Sequence, residues 1–345
     1  MAQLSDPISI RDLQVRNRLV MPPMVMHFAT EDGQVTEKNI RHYEARSRGG
    51  VGLIVVEASA VNWEHRISER NIGIHADSYI DGLSRIVKAI HAHGAKTFIQ
   101  LCHAGPNSSV AKNPLGPSAV GRGERVPTEI SKEQIEAVKP EFMQAAERAK
   151  DAGFDGVEIH AAHFFLLSSF ISPSTNRRKD AYGGTTLKRA KLATDIVRMI
   201  RKELGDYPVQ CRMNGIENVL NGVDIEEAIA VAKLLERAGA DSLSISGSLL
   251  PDNAPRELLR FTSETVPDFL KGYPYGCFVP CAAEIEKHVG IPVIGVGLVR
   301  TAGFARKLVE DDMCDMIAVG RGLLADPDFA AKALARQDDK IVPWK

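Results

Sequence analysis

Short apolar runs alternate with longer amphipathic segments along the whole chain. The runs Arg18–Met24, Gly52–Glu57, Lys96–Leu101, Gly156–Ile159, Val209–Met213, Ser242–Ser246, Pro292–Val296 and Met316–Val319 are rich in Val, Ile or Leu. Each stops near Gly, Pro or a polar cluster, as strands buried on both faces do. Between them apolar positions recur at helical spacing over Glu37–Ser47, Tyr79–His91, Lys132–Ala152, Leu187–Leu204, Ile225–Ala238, Cys281–Val289 and Ala302–Val309. Thr36, Ser131 and Asp224 stand just before three of these segments, where N-caps belong. Eight strands alternating with helices predict an α/β chain folded as a single (β/α)8 TIM barrel. The even composition disfavours an open doubly wound sheet, and residues 1–345 are expected to form one domain.

Composition narrows the function without naming it. The 43 Lys and Arg nearly cancel the 44 Asp and Glu, so no charge footprint for nucleic acid or an acidic membrane is present. The opening MAQLSDPISI lacks a basic stretch followed by an apolar one, and the longest apolar stretches, such as Val51–Val56, are strand-sized. No secretion signal or membrane span is expected, and a cytoplasmic setting is. Five scattered cysteines, Cys102, Cys211, Cys277, Cys281 and Cys314, fit a reducing compartment. Cys277 and Cys281 lack a second ligand pair and read as packing residues; no metal is expected. The partner expected is a small-molecule substrate, and a homo-oligomer is compatible with the sequence.

In a barrel of this kind chemistry gathers where strands end and loops begin. The strand ends carry Pro22-Pro23-Met24-Val25-Met26-His27, Glu57-Ala58-Ser59, Gln100-Leu101-Cys102-His103, His160-Ala161-Ala162-His163, Arg212-Met213-Asn214, Gly295-Val296-Gly297 and Gly320-Arg321. Gly295, Gly297 and Gly320 allow backbone N–H groups to approach an anion closely, and Arg321 adds a charged fork. Together they read as a phosphate cradle between the last two strands. His160 and His163, without nearby carboxylates, suit two hydrogen bonds to one substrate oxygen better than a metal. There is no Gly-x-Ser-x-Gly elbow and no Gly-x-Gly-x-x-Gly dinucleotide motif, which disfavours a serine hydrolase and a resident nicotinamide domain.

The run from His160-Ala-Ala-His163 through Ser-Pro173, Asn176, Arg178, Asp180 and Tyr182-Gly-Gly184 closely resembles the signature of the old yellow enzyme family. Asn17-Arg18 with Pro23-Met24, Gln100, Arg212, Gly297 and Gly320-Arg321 extend the resemblance from about Ile8 to Phe329. It implies an FMN barrel that takes hydride from NADH or NADPH and reduces an activated C=C bond of an enone, enoate or enoyl thioester. By position, Gln100 would meet the flavin pyrimidine edge and Arg212 its N1 and O2. Gly295, Gly297, Gly320 and Arg321 would hold the phosphate, and Pro23, Met24, Val25 and Ala58 would border the ring. His160 and His163 would hold the substrate carbonyl.

Three departures accompany the resemblance. Phe165 stands where relatives carry a proton-donating tyrosine, so His27 is nominated as the acid, ahead of Tyr182 and His103. Val25 stands where relatives place Cys or Thr against the flavin. The chain stops at Val342–Lys345, about where longer relatives begin an iron–sulfur cluster and nucleotide-binding domains, so neither is expected. His27, Phe165 and Tyr182 are expected in the substrate pocket, which Phe28, Phe164 and the loop Pro106–Val126 would help enclose. Without the tyrosine, flavin-dependent dehydrogenation, N-demethylation or double-bond isomerisation is the alternative. A colourless barrel acting on a phosphorylated substrate and a non-catalytic flavin binder are further alternatives.

Overall fold

A computed structural model describes residues 2–121, 125–248, 260, 265–274 and 277–344. Eight parallel strands close into a barrel: β1 (Leu19–Met21), β2 (Leu53–Ala60), β3 (Lys96–Cys102), β4 (Gly156–Ala161), β5 (Val209–Glu217), β6 (Ser242–Ser248), β7 (Val293–Val296) and β8 (Met316–Ala318). Each pairs with its neighbours in sequence, and β8 returns to β1 through Ile317 opposite Leu19. The surrounding helices are α1 (Glu37–Arg48), α2 (Ile80–His91), α3 (Lys132–Asp151), α4 (Lys191–Leu204), α5 (Ile225–Ala238), α6 (Val279–Glu286), α7 (Ala302–Glu310) and α8 (Phe329–Leu334).

The helices form where an apolar stripe meets the strands. On α2 the buried residues are Leu83, Ile86, Val87 and Ile90, the spacing of one helical face. Two of the expected N-caps bond as such: Ser131 accepts from the Gln134 N–H at 3.2 Å, and Asp224 from the Glu227 N–H at 3.0 Å. Thr36 donates its own N–H to Asn39 at 3.0 Å. The helix expected over Leu187–Leu204 is interrupted at Ala190, leaving a short turn, Thr186–Arg189, ahead of α4. There the Arg189 guanidinium leaves helical company to donate to the carbonyls of Ile171 and Gly184.

Alternation along the strands divides the barrel interior into a dry half and a polar half. Val20, Leu53, Val55, Phe98, Ile294, Val296, Met316 and Ala318 make a separate inner cluster. Ile10 and Val15, from an antiparallel hairpin of Ile8–Ile10 and Leu13–Val15, join that cluster from the N-terminal side of β1. Fully buried side chains of this size contribute about 1.5–3 kcal/mol each. Gly156 makes room for Phe98, since a Cβ there would come 2.5 Å from its ring.

Toward the C-terminal ends the inward positions turn polar in successive layers. Gln100, Glu158, Gln210 and Ser242 are aligned in register, and His160, Arg212 and Ser244 follow two residues on. All five cysteines are free and buried. Among the described residues no helix is long and apolar enough to cross a membrane.

Candidate active site

The polar layers open into a cavity of about 480 Å³ at the C-terminal ends of β1 and β5–β8. Pro23, Met24, Arg212, Ser246, Gly297, Gly320 and Arg321 line it. Arg300, which sequence reasoning passed over, lines it as well, beside Leu298. Gly297 has φ +116° and Leu298 φ +50°, a turn that a glycine at the first position makes accessible. Gly295 has a different task. It faces the helices, where a Cβ would come 3.0 Å from Cys314 Sγ and 3.1 Å from Val279. Its place in the expected phosphate cradle is corrected to packing.

Arg212 is the central charge. Its side chain is buried, Nη2 donates to Ser246 Oγ at 3.4 Å, and Nε and Nη1 have no partner. A buried guanidinium with two unused donors on a cavity wall is costly in isolation and suited to receive an electron-rich ligand edge. Glu158, one layer below, balances its charge and accepts from Gln100 at 2.7 Å and from Gln210. Burial raises the Glu158 carboxyl above its ordinary range, and the Arg212 charge opposes that shift.

The two histidines meet edge to face at the end of β4, ring centroids 5.1 Å apart. His160 Nε2 faces His163 Nδ1 at 3.4 Å, while His163 Nε2 lies 2.8 Å from Ser246 Oγ. Burial first, then the Arg212 charge, pushes His163 down to about 3. Burial, the neighbouring His163 and Arg212 push His160 well below the usual imidazole range. Both rings are therefore neutral at ordinary pH. The backbone carrying them is strained: His163 (φ +61°) and Phe164 (φ +57°) adopt left-handed conformations in succession, and His27 (φ +54°) does so in the segment after β1. Such strain gathers at functional sites. Asn214 holds the turn by accepting from the His163 N–H at 3.1 Å.

The other expected residues are placed as follows. His27 is exposed, with Nδ1 3.0 Å from Ser68 Oγ. Phe165 and His160 meet edge to face, ring centroids 4.8 Å apart. Val25 is half-buried in the segment after β1, which Glu57 anchors by accepting from the Met26 N–H at 3.1 Å. Burial pushes the Glu57 carboxyl up to about 7. Ala58 is buried, and its carbonyl accepts from Asn71 at 2.5 Å. Tyr182 lies elsewhere. Its hydroxyl is engaged by Glu136 and Lys139 of α3, so its expected place in the substrate pocket is corrected. His103 is stacked on His65 and accepts the Gly105 N–H at 3.1 Å. Burial holds it near 3, neutral and unsuited as an acid.

The profile of the NADH:flavin oxidoreductase / NADH oxidase family matches residues 3–340. The chain belongs to this family, that of old yellow enzyme. It is an FMN-dependent NAD(P)H oxidoreductase. An NADH oxidase of Thermoanaerobacter brockii is 38% identical over 96% of this chain, which spans 50% of that relative. An NADPH dehydrogenase of Listeria monocytogenes is 37% identical, with 99% of this chain and 97% of the relative aligned. Among solved structures, a 2-naphthoyl-CoA reductase complex superposes with a TM-score of 0.89 at 27% identity, covering 99% of this chain and 53% of its own. An old yellow enzyme homologue from Zymomonas mobilis superposes at 0.81 and 26%, covering 97% and 93%.

The old yellow enzyme cofactor suits the cavity. The orphaned Nε and Nη1 of Arg212 are the donors a flavin pyrimidine edge needs. Gly297, Gly320, Arg300 and Arg321 stand together on the same cavity for a phosphate. The rest of the family signature is scaffold. Asn176 Nδ2 donates to the carbonyls of Phe170 and Tyr182, both at 2.7 Å. Arg178 ties the segment to Asp180 at 2.7 Å and to the carbonyls of Pro117 and Ile130. The motif thereby clamps the excursion after β3 against the barrel.

Proposed function

We propose that this old yellow enzyme relative reduces an activated C=C bond conjugated to a carbonyl, as in an enone, enoate or enoyl thioester. The observation that carries the reading is the convergence of His160 Nε2 and His163 Nδ1, 3.4 Å apart, on a neutral pair beside the Arg212 cavity. With a proton on each of these facing nitrogens, the pair would offer two N–H donors to one carbonyl oxygen. They stabilise the negative charge that collects there when the β-carbon accepts hydride. Arg212, Gly297, Gly320 and Arg321 would hold FMN, which when bound would supply the hydride drawn from NADH or NADPH. The family resemblance and the names of two neighbours, a naphthoyl-CoA reductase and morphinone reductase, support the same class.

Proton delivery to the α-carbon falls to another group, because Phe165 has none to give. His27, hydrogen-bonded to Ser68 at 3.0 Å, is the nominated acid. Phe165 also favours a second reading, in which the enzyme dehydrogenates, demethylates or isomerises its substrate. Histamine dehydrogenase is a structural neighbour, at a TM-score of 0.82 and 25% identity.

Anaerobic absorbance titration separates these readings. Bleaching of the flavin band near ~450 nm by NADH or NADPH, with recovery on adding cyclohex-2-enone, is the expected result. Bleaching that no activated alkene reverses refutes the reductase reading and favours the second.

A further inference from the structure

We propose that Ser246 is a tautomer pivot for His163, the positioning residue that lets two neutral imidazoles donate together to one substrate oxygen. The inference rests on the carbonyl-binding reading above and adds a residue that reading does not contain.

The hydrogen-bond chain determines where the ring protons sit. The Ala162 N–H donates to His160 Nδ1 at 3.4 Å, which leaves the His160 proton on Nε2. That Nε2–H faces His163 Nδ1 at 3.4 Å. With nothing between the rings His163 Nδ1 accepts, and the His163 proton belongs on Nε2, pointing at Ser246 Oγ 2.8 Å away. An oxygen entering between the rings reverses the requirement. Both facing nitrogens then need protons, so His163 must carry its proton on Nδ1, and Nε2 becomes an acceptor in need of a donor.

A hydroxyl serves both states, accepting from Nε2–H in one and donating to bare Nε2 in the other, by turning about its C–O bond. Arg212 Nη2 donates to the same oxygen at 3.4 Å, occupying one lone pair and polarising the hydroxyl toward donation. The proton count is constant through the change. His163 gives up its Nε2 proton and gains one on Nδ1 by exchange with solvent, and the serine proton only turns. Because the pair stays neutral, tautomer and not charge decides whether the oxygen finds one donor or two.

Ser246→Ala removes the donor. Binding a carbonyl between the rings then strands His163 Nε2 as a buried acceptor, weakening that complex roughly ten- to a hundredfold. Ser246→Thr retains the hydroxyl and the behaviour of the wild type. The experiment uses FMN-loaded enzyme with 15N-labelled histidine, long-range 1H–15N spectra, and His160 and His163 signals assigned from single His→Asn variants. Cyclohexanone, a carbonyl with no alkene to reduce, is the probe.

Saturating cyclohexanone is expected to move wild-type and Ser246→Thr His163 from the Nε2–H to the Nδ1–H pattern. Ser246→Ala is expected to keep Nε2–H and bind the probe at least about tenfold more weakly. A Ser246→Ala enzyme that switches like wild type, or binds within twofold of it, overturns the proposal. So does wild-type His163 that stays Nε2–H at saturation, or wild-type enzyme that binds no cyclohexanone. An enzyme that binds the probe and switches tautomer, yet never reduces cyclohex-2-enone, refutes the reductase reading alone.

Discussion

Replacing Arg212 with methionine should affect the empty and the loaded protein in opposite directions. In the protein without ligand, the buried guanidinium leaves Nε and Nη1 unpartnered and holds one long hydrogen bond, 3.4 Å, to Ser246. Each buried donor without a partner costs about 1–3 kcal/mol. Methionine fills a similar volume without that cost. What it loses is the attraction to Glu158, whose carboxyl burial already raises toward the neutral form. Urea melts of the apoprotein should therefore show Arg212→Met at least as stable as wild type. With FMN seated as proposed, the two donors would become charge-assisted hydrogen bonds of about 1.5–3 kcal/mol each. Their loss totals about 3–6 kcal/mol, two to four decades in the FMN Kd, read by quenching of flavin fluorescence. An apoprotein destabilised by more than about 2 kcal/mol, together with an FMN Kd within threefold of wild type, would refute the reasoning.

Four further outcomes follow from the same geometry. Phe165→Tyr, which restores a hydroxyl beside His160, should speed flavin reoxidation by cyclohex-2-enone at least about tenfold in stopped flow; no change means protonation is not limiting. Gly297→Ala places a Cβ at φ +116° and should cost about 1–3 kcal/mol of strain, seen as FMN loss on gel filtration beyond any change in apoprotein melting. Asn176→Leu should destabilise by about 2–4 kcal/mol in urea, because two buried carbonyls lose their donor. His163 has a folded value of about 3, below its unfolded ~6.5, so its stabilisation is whole above ~6.5 and lost as pH falls toward the folded value. The stability advantage of wild type over His163→Asn should shrink by about 1.4 kcal/mol per pH unit between pH 6 and 4.

The barrel was legible in sequence because strands buried on both faces read as unbroken apolar runs. Ile225–Ala238 is even reproduced to the residue. What escaped is where apolarity stops being the signal. β5 runs on to Glu217 and β6 to Ser248 because their mouth-facing positions, such as Asn214 and Ser246, are polar yet buried. The helix Leu166–Ile171 is buried on every side and shows no periodicity. Ser246 had a readable trace in the period-two serines Ser242, Ser244 and Ser246, which marked a polar inner face. Tyr182 failed in the other direction. Its motif neighbours suggested the pocket, while its ring turns away to α3, and spacing along a loop does not report that.

The hairpin of Ile8–Ile10 and Leu13–Val15 plugs the far end of the barrel with Ile10 and Val15. A plugged barrel is a cul-de-sac. On the function proposed above, the nicotinamide donor and the electron acceptor would share the one open mouth of the barrel, the first leaving before the second enters. Steady-state rates should accordingly trace parallel double-reciprocal lines, and an excess of either reactant should slow turnover by occupying the form of the enzyme meant for the other.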